Sequence, residues 1–313
     1  MVQRLAKDLI AQAVQSQAQD IYLIPRKDEY ECFLRVGDKR QAVGTYPLEK
    51  GKQLISHFKF LAGMNVGEQR RTQLGSCDYL WSGHQTVSLR LSSVGDYRSL
   101  ESLVLRVLYD GERDLNFWFS GFEQVESILA GRGLYLFSGP VGSGKTSLMY
   151  QLARTHFKNQ QTLTIEDPVE IKQEDMLQLQ LNDSIGMTYD NLIKLSLRHR
   201  PDLLIIGEIR DSETARAVIR ASLTGATVFS TIHAKSIPGV YARLIELGVS
   251  PQELANCLQG IIYQRLIAGG GLIDVADKDF KTHKPTQWNA QLDQLALDGH
   301  LTELQKETEK IRP

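Results

Sequence analysis

The chain has 313 residues, of which 42% are hydrophobic and 23% charged; this composition is typical of globular proteins, and the length allows two domains. Its formal net charge of −1 excludes the global basic field that bulk nucleic-acid binding requires. The apolar runs are too short to cross a bilayer, the N-terminus predicts a helix rather than a signal peptide, and the scattered cysteines predict a reducing cytosol without disulfides.

Residues 1–108 have the pattern of a small α+β domain. Apolar residues from Leu5 to Val14 recur at helical spacing, and Pro47 begins a second helical pattern. The predicted strands are IYLI (21–24), YECFLRV (30–36), QTVSLRLSS (85–93) and SLVLRVL (102–108). We expect these strands to form one antiparallel sheet with the helices packed on it.

A linker is predicted at residues 109–121, which are rich in glycine and charge and lack periodicity, and the hydrophobic pattern is different after it. In residues 122–313, helical patterns alternate with the apolar segments LYLF, TLTIE, LLIIGE and ATVFSTIH. This alternation predicts an α/β domain with a mostly parallel sheet covered on both faces. From about residue 274 the sequence is polar and weakly patterned, so we expect a tail that is partly disordered.

A phosphate-binding loop is predicted between LYLF and the helix that follows it. The residues are Gly139, Pro140, Val141, Gly142, Ser143, Gly144, Lys145, Thr146 and Ser147, and they contain the complete pattern GxxxxGK[ST]. Glycines allow backbone N–H groups to turn towards a phosphate, and the helix N-terminus adds partial positive charge. Lys145 can reach the β- and γ-phosphates, and the Thr146 hydroxyl can bind Mg²⁺. The alternative, a glycine-rich turn that matches by chance, is disfavoured by the strand–loop–helix context.

Three later strand ends carry polar side chains. TIEDPVE (164–170) contains Glu170, LLIIGEIRD (203–211) contains Glu208, and FSTIHA (229–234) contains His233. Carboxyl ends of parallel strands meet at the edge that carries the phosphate loop, so we expect these side chains to converge on one γ-phosphate. Taken alone, an acidic residue at a strand end could instead be a helix cap, and a lone histidine is more often structural.

Together these segments resemble one family, the secretion and type IV pilus motor ATPases. The matching residues are GPVGSGKT, TIEDPVE, GEIRD, TGATVFSTIHA and IYQRLI (262–267), in that order. The similarity extends over about residues 5–270 and is greatest to the DNA-uptake (competence) pilus assembly ATPases of Gram-positive bacteria. It implies a RecA-like ATPase domain preceded by a smaller PAS-like domain.

The resemblance also implies roles for individual residues. Glu170 would be the general base, Glu208 would hold Mg²⁺ directly or through water, and His233 would contact the γ-phosphate or couple it to a neighbouring element. The PAS-like domain would supply Arg90 and Arg106 to the nucleotide. For Arg90 the alternative is an ordinary solvent-facing arginine on an edge strand, whereas Arg106 lies in an apolar strand and is expected to be buried with a partner.

The function implied by the resemblance is that of a cytosolic ATPase that uses Mg²⁺ and works as a homo-hexamer at the inner face of the cell membrane. Its partner would be the polytopic membrane platform protein of a competence pilus that takes up DNA. No zinc is expected, because YQRLIAGGGLIDV lacks the cysteines that larger relatives carry there. Two alternatives stay open: a pilus retraction motor, and a nucleic-acid translocase or partition ATPase. The net charge of −1 disfavours the latter and any direct nucleic-acid binding.

Overall fold

A computed structural model describes residues 2–36, 39–83, 85–109, 114–169, 171–182 and 185–311. The chain divides into two compact units, Met1–Gly111 and Glu112–Pro313. Part of the predicted linker, residues 110–113, lies outside the described residues. None of the helices in the described ranges combines the length and hydropathy that a membrane crossing requires.

The first unit is an antiparallel sheet with two helices packed on one face. Its elements in the described residues are α1 (Val2–Gln15), β1 (Asp20–Pro25), β2 (Glu29–Val36), β3 (Lys39–Pro47), α2 (Leu48–Leu61), β4 (Gln73–Ser82), β5 (Gln85–Gly95) and β6 (Glu101–Leu108). The strands lie in the order β3-β2-β1-β6-β5-β4. Alternate residues of the inner strands, such as Ile21 and Leu105, pack against Leu9 and Ile10 of α1, which recur at helical spacing. The unit therefore has its own core.

The second unit is built on a mostly parallel sheet. Its elements in the described residues are α3 (Gly121–Ile128), β7 (Gly133–Ser138), α4 (Lys145–Thr155), β8 (Thr162–Glu166), β9 (Leu177–Gln180), α5 (Tyr189–Arg198), β10 (Leu203–Glu208), α6 (Ser212–Ser222), β11 (Thr227–Ile232), α7 (Ile237–Glu246), α8 (Pro251–Cys257), β12 (Leu258–Ile267), β13 (Gly270–Ala276), α9 (Thr286–Leu297) and α10 (Glu303–Glu309). The order is β13-β12-β7-β11-β10-β8-β9, and only the described pair β12–β13 is antiparallel. Strands β7 and β11 are buried along their whole length, as expected where helices cover both faces. The predicted α/β class is confirmed.

Residues 275–311 are folded, which differs from the expectation of a partly disordered tail. Trp288 of α9 is fully buried, and its Nε1 donates to the Glu309 carbonyl oxygen at the end of α10 over 3.0 Å. Lys310 forms an ion pair of 2.9 Å with Asp293 of α9. The sequence pattern is weak here because the buried face of α9 is narrow and includes the polar residue Gln291.

Candidate active site

The predicted phosphate loop lies between β7 and α4. Gly139 has φ of 143° and Gly144 has φ of 84°, a region that residues with a Cβ rarely adopt. A Cβ on Gly139 would lie 2.1 Å from the Gln264 carbonyl oxygen, and one on Gly144 would lie 2.7 Å from Leu115 Cδ1. A side chain at Gly139 would collide with a backbone carbonyl, and the positive φ at both positions favours glycine at both ends of the loop.

Lys145 places a buried cation inside this loop. Its Nζ donates to the carbonyl oxygens of Gly139 over 3.0 Å and Pro140 over 2.9 Å. These two carbonyls are neutral acceptors, whereas an ammonium group bonds more strongly to a charged phosphate oxygen. The lysine is therefore held where a phosphate on the loop would compete successfully for it.

The remaining loop residues fit a phosphate cradle. Pro140, Val141 and Gly142 are exposed, and Thr146 and Ser147 are half-buried in the first turn of α4. Ser143 is buried, and in the described part of the chain its Oγ has no hydrogen-bond partner. A helix N-terminus and an unpaired buried hydroxyl are both suited to a bound anion.

Glu208 and His233 lie beside the loop, at the carboxyl ends of β10 and β11. Glu208 Oε1 is 3.1 Å from His233 Nε2, and His233 Nδ1 is 3.2 Å from the Gly139 carbonyl oxygen. Arg210 Nε donates to the other Glu208 oxygen over 2.8 Å. A neutral imidazole has one N–H, so it can donate to Glu208 or to the loop carbonyl but not to both. His233 therefore lies between the loop and Glu208, within hydrogen-bond distance of an acceptor oxygen on each side.

The acidic segment at the end of β8 begins with a structural carboxylate. Glu166 is buried, and its Oε1 accepts hydrogen bonds from Tyr150 Oη over 2.5 Å and Thr164 Oγ1 over 2.7 Å. Burial, followed by the charge of Glu166, raises the pKa of Tyr150, so its hydroxyl stays protonated and donates. Glu170, the predicted general base, lies outside the described residues, and its role stays a prediction.

A tyrosine that the sequence reasoning did not identify lies beside Gly207. A Cβ at Gly207 would be 3.2 Å from the Tyr189 hydroxyl, at the position where many phosphate-loop enzymes carry aspartate. Burial, followed by the charge of Asp167, raises the pKa of Tyr189 to about 12. Tyr189 begins α5 and Gly207 lies near the end of β10, and no local sequence pattern predicts that these two positions meet.

Arg90 and Arg106 are cross-strand neighbours in the first unit, on β5 and β6. The expectation that Arg106 is buried was wrong: its side chain is 48% exposed, and its Nε lies 2.9 Å from Asp20 Oδ1. Alternation along β6 places Arg106 on the face opposite to α1 and α2. Arg90 is partly buried on an inner strand, rather than on an edge strand as the alternative reading required.

A groove of about 680 Å³ adjoins the loop within the second unit. Among its lining residues are Gly139, Pro140, His233, Tyr263, Arg265 and Lys310. Arg265 of β12 forms an ion pair of 2.6 Å with Glu309, which fixes the end of α10 at the side of this groove. The phosphate loop and His233 therefore face a space large enough for a small ligand.

The described residues contain no cluster of three or more His, Cys, Asp or Glu side chains that could hold a metal ion. Mg²⁺ at a phosphate site needs only one or two carboxylates, because phosphate oxygens and water complete its shell. Thr146 and Glu208 have suitable oxygen ligands for that ion. Their assignment to Mg²⁺ stays a prediction.

A mostly parallel sheet, with a phosphate loop leading into a helix and polar residues at the adjoining strand ends, defines a RecA-like phosphate-loop ATPase. The chain belongs to the family described as Type II/IV secretion system protein, which matches residues 1–291. It is 65% identical over 311 residues to Competence protein ComGA of Streptococcus pneumoniae, covering 99% of each chain. Competence protein ComGA of Bacillus subtilis is 37% identical over 274 residues, covering 85% of this chain and 76% of that protein.

Solved structures have the same fold. The pilus retraction motor PilT with bound ADP aligns with a TM-score of 0.74 at 22% identity, covering 98% of this chain and 97% of PilT. The ATPase DotB of Legionella pneumophila aligns with a TM-score of 0.74 at 17% identity, covering 96% of this chain and 93% of DotB. The predictions of family, fold class and ATPase activity are confirmed by these comparisons taken together.

Proposed function

We propose that the chain hydrolyses ATP to power assembly of a type IV-like competence pilus for DNA uptake. The observation that carries the proposal is the 65% identity to a competence protein over nearly the full length of both chains. The site supports the ATPase part of the proposal independently, because Lys145, His233 and Glu208 are grouped around a phosphate loop.

Residues 139–147 bind the phosphates in this proposal. The Lys145 Nζ exchanges the carbonyl oxygens of Gly139 and Pro140 for phosphate oxygens, a stronger interaction because both partners are then charged. Thr146 and Glu208 hold Mg²⁺, which neutralises phosphate charge when bound. Glu170 orients and polarises the attacking water.

Two further groups act on the charge that develops during phosphoryl transfer. His233 contacts both the Gly139 carbonyl oxygen and Glu208, so movement of the loop on the γ-phosphate is transmitted to Glu208. Arg90 and Arg106 supply positive charge to the transferred phosphate. The Asp20 carboxylate favours one orientation of the Arg106 side chain before the nucleotide binds.

The proposed working form is a homo-hexameric ring in the cytoplasm, peripheral at the inner face of the cell membrane. Its partner is the polytopic platform protein of the pilus machine, and neither zinc nor direct nucleic-acid binding has a part in this scheme. Membership of the secretion family supports this arrangement.

The test is the substitution Lys145→Ala, with Lys158→Ala as a matched control on an exposed lysine of the same unit. We expect Lys145→Ala to lower ATP turnover by at least about 100-fold, because the phosphate loses its buried cation. The Lys158→Ala protein should retain its turnover. Circular dichroism should show that both variants are folded, because the described hydrogen bonds of Lys145 Nζ go to carbonyl oxygens of the loop and not to a core side chain.

The same variant distinguishes the motor functions in cells. A strain that carries Lys145→Ala should lack pili if the protein assembles them. Abundant pili that fail to retract would instead support the retraction motor. Full turnover by the variant, or strong and salt-sensitive stimulation of the unaltered protein by DNA, would contradict the proposal.

A further inference from the structure

The side chain of Gln264, on β12, is buried beside the phosphate loop without a partner. Its exposed fraction is 1%, and within the described ranges neither Nε2 nor Oε1 has a hydrogen-bond partner. A buried amide has given up its hydrogen bonds to water, so an unpaired one is unfavourable and calls for an explanation.

Gln264 contacts both ends of the loop. Strands β7 and β12 are parallel with Ser138 opposite Tyr263, so the register brings Gln264 next to Gly139. A Cβ added to Gly139 would lie 2.1 Å from the Gln264 carbonyl oxygen, and one added to Gly144 would lie 2.9 Å from Nε2. The backbone of Gln264 therefore supports the first glycine of the loop, and its amide faces the last.

The surroundings of the amide would suit an apolar side chain better. Leu115 Cδ1 and Leu266 Cδ2 lie 2.7 Å and 3.7 Å from the same Cβ position on Gly144. Packing alone would thus favour leucine or methionine at position 264. An amide at position 264 is explained if a second arrangement of the loop offers hydrogen-bond partners to it. The Ser143 hydroxyl of the same loop is also buried without a partner among the described residues, so it too would gain a hydrogen bond from such an arrangement.

We propose that Gln264 is a positioning residue for the phosphate loop. Its carboxamide forms hydrogen bonds with the loop backbone near Gly144 when the loop closes on the phosphates of a nucleoside triphosphate. An amide has both donors and an acceptor, so it can bind either N–H or C=O groups of the loop. The inference rests on the proposed function, because it requires a nucleotide on this loop.

The test replaces the amide by an apolar chain of similar length in Gln264→Met. Without nucleotide, the midpoint of thermal unfolding should be unchanged or higher, because an unpaired polar group has been removed. With a non-hydrolysable ATP analogue and Mg²⁺, the variant should gain less stabilisation, and the Kd should rise about tenfold, or ~1.4 kcal/mol. In turnover, KM should rise by a similar factor while kcat changes by less than about twofold.

Gln291→Met is the matched control, because Gln291 of α9 is also buried and its Oε1 also has no partner in the described part of the chain. It should leave the Kd for the analogue unchanged. Gln264→Leu serves as a second apolar variant if Gln264→Met does not fold, with the same expected loss of affinity.

The outcomes separate this inference from the proposed function. Equal affinity of Gln264→Met and the unaltered protein overturns the inference, and so does an equal loss in Gln291→Met. In both cases the proposed function stands if the unaltered protein binds the analogue and Lys145→Ala does not. Failure of the unaltered protein to bind the analogue overturns the proposed function and the inference together.

Discussion

Glu166 and Glu208 end neighbouring parallel strands, β8 and β10, yet their surroundings are opposite. Glu166 is buried and accepts hydrogen bonds from Tyr150 and Thr164. Glu208 is partly exposed, with a side-chain exposure of 22%, and its partners are Arg210 and His233, the second of which lies beside the phosphate loop. The carboxylate of Glu166 therefore stabilises the fold through these hydrogen bonds, whereas that of Glu208 is accessible to a ligand.

This contrast predicts that replacing glutamate by glutamine lowers mainly the stability at position 166 and mainly the turnover at position 208. Glu166→Gln should lower the free energy of unfolding by about 1–3 kcal/mol, because the buried hydroxyl donors lose a charged acceptor. Glu208→Gln should change it by less than about 0.5 kcal/mol but should strongly lower kcat. Chemical denaturation and ATP turnover, measured on both variants, check the assignment. A stability loss in Glu208→Gln equal to that in Glu166→Gln would contradict it.

The residues of the site were predictable from the sequence only where they lie within a motif. The phosphate loop and His233 each follow an apolar strand, and Glu208 is the last residue of one. Parallel topology alone therefore brings these residues together. Gln264 and Tyr189 reach the site from other elements, and their positions depend on strand register and helix packing. No local pattern encodes such distances.

At the level of elements, the sequence predicts the central strands of the parallel sheet, whereas the buried strands β12 and β13 were not predicted. Strands β7, β8, β10 and β11 are apolar because they are covered on both faces, and the sequence predicts all of them. Strands β3 and β4 form the edges of the first sheet, and most of their residues are at least partly exposed. Their alternation is therefore too weak to be recognised.

Helix α10 gives a test of whether a short, exposed element belongs to the folded unit. Thr302 is its N-cap and, with Gln305, forms a capping box. Thr302→Ala should lower the free energy of unfolding by about 1 kcal/mol, because a backbone N–H of the first turn loses its acceptor. Thr308→Ala, the same change within the helix, should have little effect. Denaturation followed by tryptophan fluorescence would measure both variants, and equal stabilities would show that α10 is not part of the cooperative unit.

At the scale of the whole molecule, each unit has its own core and a buried cysteine. Cys32 lies in the first unit and Cys257 in the second. Burial raises the pKa of Cys32 to about 12 and also raises the pKa of Cys257. Because the thiolate is the reactive species, each cysteine reacts with a thiol reagent mainly when its unit opens. Labelling therefore reports the stability of each unit separately.

This property allows a test of whether Arg90 and Arg106 contact the nucleotide. In a Cys77→Ser background, a non-hydrolysable ATP analogue with Mg²⁺, at about 100 times its Kd, should slow labelling of Cys257 by up to about 100-fold, because it stabilises the unit that binds it. Labelling of Cys32 should also slow if the arginines bind the phosphates. Arg90→Ala and Arg106→Ala should then remove the protection of Cys32 while most of that of Cys257 remains, and Lys145→Ala should remove both. Unchanged labelling of Cys32 in the presence of the analogue would show that the first unit gains nothing from the nucleotide, and the role proposed for the two arginines would be wrong.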